Sequence, residues 1–195
     1  MYRHFLIAAV LLASTAAQAH VGVGDTHGFA HGFAHPVSGI DHVLAMIAVG
    51  LFAAHLGGRA LFLLPLSFIA MMVAGGVLGA AGVSLPFVEA GIGLSVVVFG
   101  IAVALNLDIP VAIAMVLVGV FAVFHGYAHG AEMPGTVSGL AYGAGFVVAT
   151  AALHALGIGL GLVLGKSTRA VGERILQGVG GAMALAGIAI LAGYM

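Results

Sequence analysis

The sequence predicts an all-α integral membrane protein, a bundle of six transmembrane helices behind a cleavable signal peptide, and three observations carry that prediction. Hydrophobic residues make up 63% of the chain against 6% charged, and the mean hydropathy is +1.26, a balance that no water-soluble domain of 195 residues sustains. The apolar stretches are continuous rather than alternating, which favours helices, and in lipid only helices and closed barrels satisfy every backbone N–H and C=O. Charges, prolines and polar residues gather at intervals that leave segments near the ~20 residues a helical span requires.

The elements follow in chain order. Residues 1–19 read as a signal peptide: Arg3 and His4 precede the apolar run Phe5 to Ala13, and Ala17-Gln18-Ala19 has the small-x-small form of a cleavage site. Cleavage makes His20 the mature N-terminus, with its amine and ring as a chelating pair, and leaves 20–195 as a single transmembrane domain. Its spans fall near 38–57, 60–82, 88–106, 109–129, 136–164 and 171–193. Glu89 reads as a charge stabilising the N-terminus of the third span, and Asp108, ahead of Pro110, as a cap of the fourth. Gly75 with Gly79, and Gly157 with Gly161 and Gly165, repeat at the four-residue interval that lets helices approach closely. Arg59 follows the first span, and Lys166, Arg169 and Arg174 follow the fifth, so both loops belong to the cytoplasm of a bacterial inner membrane. The mature N-terminus is then periplasmic, as an exported segment requires.

Composition also excludes. A net charge of −1 built from so few charges offers no basic face for nucleic acid. With no cysteine, there are no disulfides and no thiolate ligands, and a metal site must be built from nitrogen and oxygen with methionine as the sole soft donor. Gly165-Lys166-Ser167 lacks the earlier glycine of a phosphate-binding loop, because position 160 is Leu160, so no nucleotide site is visible. The loops are too short for a second domain, and nothing specifies an oligomeric state.

Chemistry concentrates in two polar strings. One runs from His35 to His42 and contains Asp41; the other runs from His125 through His129 to Glu132. The spans place both at one membrane face, at the outer ends of the first and fourth. His125 and His129 share a helical stripe that Glu132 extends, and His35 and His42 lie seven apart, although Pro36 and Gly39 complicate a helix there. Ionisable groups near a bilayer centre cost roughly 2.5–3.5 kcal/mol on insertion scales, so such a gathering needs partners or a purpose. Structural pairing is the plain alternative, since interhelical polar contacts contribute about 0.6 kcal/mol each. Six groups in so apolar a chain exceed what packing needs, and imidazole with carboxylate suits a divalent metal: His35, Asp41, His42, His125, His129 and Glu132 are the candidate ligands, with His35 and Glu132 also able to orient a ligand ring.

The hexapeptide from His27 to Gly32 repeats the form of the one from His125 to Gly130. His27 and His31 are therefore either relay ligands that collect an ion or a low-complexity accident, and both readings stand. His154, inside the fifth span, is either a core histidine or a step on an exit path. His55 reads as interfacial, and Met71, Met72 and Met115 as apolar filler or as thioethers able to assist a soft ion.

His35-Pro36, Gly39 and Asp41-His42, with Phe124-His125-Gly126, Ala128-His129-Gly130 and Glu132, resemble the two signature motifs of the HupE/UreJ family. The resemblance implies a permease rather than an enzyme, one that takes up nickel, or cobalt, for the maturation of hydrogenases and ureases. It implies the ligand role for the same six residues. It implies no tightly bound cofactor, the divalent ion being the transported substrate and the lipid bilayer the other partner. The rival is an intramembrane metal-dependent hydrolase, with the same residues around zinc and a metal-bound water as nucleophile.

Overall fold

The computed structural model describes residues 26–133, 138–165 and 169–193, and every regular element among them is an α-helix. These are α1 (Thr26–Ser38), α2 (Ile40–Leu56), α3 (Ala60–Ala80), α4 (Val88–Ala104), α5 (Val111–Ala131), α6 (Gly139–Gly165) and α7 (Arg169–Leu191). The segment 1–19, His20, Lys166 and the side chains of His27 and Arg169 lie outside what is described.

Helices α2 to α7 fall on the expected spans, and α1 is an addition to them. The stretch leading into the first span is itself helical, despite two glycines and a proline of low helix propensity, because tertiary packing decides. Gly28 and Gly32 are buried against α6, and a Cβ on Gly32 would overlap the carbonyl of Tyr142. Phe29 and Phe33 point outward, their rings stacked 6.4 Å apart. Pro36 sits near the C-terminal end, where its missing N–H and its ring disturb only the final turn. Helix α1 stops at Ser38, Gly39 is extended (φ −97°, ψ 121°), and α2 departs at 83°.

Among the described residues, four helices are long and apolar enough to cross a membrane, namely Ala60–Ala80, Val111–Ala131, Gly139–Gly165 and Val171–Leu191, and the bent α1–α2 pair makes a fifth if it counts as one crossing. The chain is thus a multi-pass membrane protein, with four to five clear span candidates where the sequence led us to expect six. The shortfall lies mainly in α4, whose 17 residues cover about 26 Å against a hydrocarbon core of about 30 Å. Left-handed residues bracket it, Phe87 (φ 60°) before and Asn106 (φ 48°) after, so it can extend in neither direction. Asp108 does not cap α5: the N-cap is Pro110 and Asp108 is exposed outside it. Glu89 does sit in the first turn of α4.

Glycine determines which helices pair. On α3, Cβ atoms on Gly75 and Gly79 would run into the backbone of Val123 and Tyr127 on α5, and reciprocally Gly126 and Gly130 of α5 press on the backbone of Met72 and Gly76. Gly50 and Gly157 do the same between α2 and α6, and Gly100 and Gly180 between α4 and α7. α2 is central, packing against α3, α4 and α6. Phe52, Phe68, Phe99, Met46 and Leu64 fill the interior. The periphery is apolar too, with Phe62 at 71% and Leu140 at 87% exposure, whereas His125 inside is at 0%. An apolar outer surface around buried imidazoles is the distribution lipid selects.

Two alanine substitutions separate contact from propensity. At Gly100, the new Cβ would sit 2.5 Å from the Ala184 amide nitrogen, whereas at Gly181 on the same partner helix it meets nothing within 4 Å. Gly100→Ala should therefore cost about 1–3 kcal/mol by overpacking, and Gly181→Ala should be neutral or stabilising by up to about 1 kcal/mol. Thermal unfolding in detergent checks both, and equal melting temperatures would contradict the assignment.

Candidate metal site

The hinge at Gly39 and the end of α5 assemble a histidine cluster from three helices. His35 is in the last turn of α1, Asp41 and His42 in the first turn of α2, and His125, His129 and Glu132 at the C-terminal end of α5. The glycines beside the α5 histidines explain that end: Gly126 and Gly130 bring α5 onto α3, so His125 and His129 are forced into the interior. Gly39 has an equally local reason, since a Cβ there would lie 2.7 Å from Asp41 Oδ1 and 3.1 Å from His42 Nδ1.

Two groups form, and His129 belongs to both. At the mouth, His35 Nε2 donates to Glu132 Oε2 at 3.2 Å, and the ligand atoms of His35, His129 and Glu132 lie within 4.8 Å of one another. Their side chains are 35% exposed for His35 and 59% for Glu132. Deeper, the rings of His42, His125 and His129 stack edge to face, His42 standing 4.7 Å from His125 and 4.4 Å from His129. All three are buried. The His129 ring also touches His35 at 4.7 Å and Phe146 at 4.1 Å.

Hydrogen bonds fix which nitrogens face the cluster. An ionised carboxylate only accepts, so His42 Nδ1–H donates to Asp41 Oδ1 at 2.8 Å, and the His42 backbone N–H donates to the same oxygen at 2.7 Å. Nε2 then carries the lone pair, the carboxylate–histidine arrangement that raises a ring's basicity toward a metal. The N-terminal dipole of α2 favours the negative charge of Asp41 in its first turn. On α4, Ser95 Oγ–H is committed to the Ile92 carbonyl at 2.6 Å, so its oxygen accepts from His125 Nε2–H at 2.9 Å. His125 Nδ1 is left with the lone pair.

Those lone-pair atoms, His42 Nε2 and His125 Nδ1, have no hydrogen-bond partner, nor does either ring nitrogen of His129. Leaving a buried polar atom unsatisfied costs about 1–3 kcal/mol, and these orphaned nitrogens belong to rings that touch one another through His42. Among the described residues, the group whose ligand atoms lie close enough together to hold a metal ion is His35, His129 and Glu132, and imidazole with carboxylate is a donor chemistry that suits a divalent transition metal.

The six candidate residues are thus brought into one region, but in different positions. Asp41 engages His42 through one oxygen, and Glu132 engages His35. His31 is exposed on α1, outside both groups, His55 is exposed on the last turn of α2, and Glu89 is exposed. Ser95, Tyr142 and Phe146 were not singled out from the sequence. A lone serine in an apolar helix carries no signal, although Tyr142 and Phe146 with Thr150 and His154 form an i, i+4 stripe along α6.

Fold and site together define a multi-pass membrane protein with a buried polyhistidine centre. The family profile described as HupE / UreJ protein matches residues 8–190, and Protein HupE of Rhizobium leguminosarum bv. viciae is 46% identical over 186 residues, 95% of each chain. The chain belongs to the HupE/UreJ family, hydrogenase and urease accessory proteins usually linked to nickel and cobalt uptake. No solved structure matches it.

Ser95→Ala tests the tautomer argument at nearly constant volume. Freed from Ser95, the His125 ring is no longer held in one tautomer, and nickel affinity should fall about 10- to 100-fold with the fold retained. Isothermal titration of nickel into detergent-solubilised protein measures this, and an unchanged Kd would refute it.

Proposed function

We propose that the protein is a permease carrying nickel, or cobalt, from the periplasm to the cytoplasm for the maturation of nickel enzymes. The chain then crosses the inner membrane six times, with α1 and the hinge at the periplasmic entrance and a cleaved signal ahead of them. His35, Glu132 and His129 take the ion at the mouth as it sheds water. His42 and His125 receive it, Asp41 holding the His42 ring and also serving as a ligand when the carboxylate turns inward. The observation that carries the reading is the membership of His129 in both the exposed group and the buried one, which makes the cluster continuous from surface to interior. An inward-negative potential contributes about 2.3 kcal/mol per charge per 100 mV, about twice that for a divalent ion, so entry needs no nucleotide.

A second reading has one observation in its favour. A cavity of about 580 Å³ with apolar walls reaches His129 between α3, α5 and α6, bordered by Met72, Gly76, Tyr142, Phe146 and Val147. An intramembrane hydrolase built around zinc would want such a cleft for its substrate. The accessory and transport character of the family favours the permease.

Uptake of radioactive nickel by cells producing His42→Ala or His129→Ala, at matched protein levels, decides the ligand assignment. Each should lose about 10- to 100-fold in rate. Wild-type rates in both would rule the proposal out, and metal flux into proteoliposomes containing this protein alone separates transport from hydrolysis.

A further inference from the structure

His154 lies on α6, well inside the bundle, and it is 1% exposed with neither ring nitrogen hydrogen-bonded. A histidine kept for packing alone normally pairs its N–H, since an apolar ring or a leucine would fill the same space without stranding polar atoms. Its surroundings connect it to the cluster above. The Phe68 ring of α3 touches both the His125 ring, at 5.5 Å, and the His154 ring, at 5.0 Å. One turn outward along the same two helices, the Thr150 hydroxyl meets Met72 Sδ at 3.6 Å, and both residues are buried.

The depth of the residue follows from helix geometry. Phe146, Thr150 and His154 succeed one another at four-residue intervals, about 6 Å each, and Phe146 touches His129. His154 is therefore about 12 Å further along α6 than the residue against His129. Its own carbonyl faces Gly50 at the crossing of α2 and α6, and the side chain is buried within the protein.

We infer that His154 is a second, inner station for the transported divalent ion, taken up after His125 and His42 release it, with the Met72 thioether and the Thr150 hydroxyl as the neighbouring donors. The inference rests on the permease reading. A single imidazole with weak companions suits a transient stop, since a path needs sites that hold an ion without trapping it.

Because the chain has no cysteine, His154→Cys introduces a unique thiol. Nickel flux is measured in proteoliposomes of the wild type, His154→Leu and His154→Cys, each with and without cadmium, a thiol-seeking ion. The expected result is a loss of about tenfold or more in His154→Leu, partial flux in His154→Cys, and a block of the latter by cadmium at concentrations that spare the wild type. Flux in His154→Leu within about twofold of wild type, or a cysteine variant no more sensitive to cadmium than wild type, overturns the inner station while leaving the permease standing. Absence of nickel flux in the wild type overturns the permease, and the inner station with it.

Discussion

Backbone-to-backbone contact between glycine-bearing helices is the constraint on which the rest of this structure depends. In lipid there is no hydrophobic force to press helices together, so association relies on close packing, and every strong pair here uses glycine on both partners. The same contacts create the site. Were α5 to stand off from α3 by the width of one methyl group, His125 and His129 would lose their enclosure, and their lone pairs would face lipid or water. Gly126 and Gly130 thus shape the histidine cluster without contributing a side chain to it.

This explains how a recurring hexapeptide can have two outcomes. From His27 to Gly32 and again from His125 to Gly130, glycine beside histidine seats a helix on its neighbour. In α5 the adjoining histidines turn into the bundle; in α1 His31 turns outward, while His35, one turn later, reaches the cluster. Identical patterning gives identical packing and different chemistry, because α5 is enclosed by neighbouring helices and α1 caps one end.

Much of this was legible from residue order. Continuous apolar runs gave six of the helices, and charge scarcity made the two histidine strings conspicuous, so the residues that gather in the cluster stood out without coordinates. The helical nature of residues 26–38 was hidden, since Gly28, Gly32 and Pro36 oppose helix formation locally and only the groove on α6 reverses that. Division of labour within the cluster was hidden as well. Spacing cannot tell that one Asp41 oxygen is occupied by His42, or that Ser95, thirty residues from His125, orients its ring.

The bend at Gly39 has a mechanical meaning. On a straight helix His35 and His42 would ride together, two turns apart on one stripe, and any tilt would move both alike. With extended backbone between them and an 83° change of axis, they sit on separate rods joined at a single residue. Rotation at that residue would change the distance from His35 to His129 without disturbing the bond from His42 to Asp41 or its contact with His129. The outermost histidine of the cluster thus hangs from a joint of its own, while the histidines beneath it are carried by helices packed directly on one another.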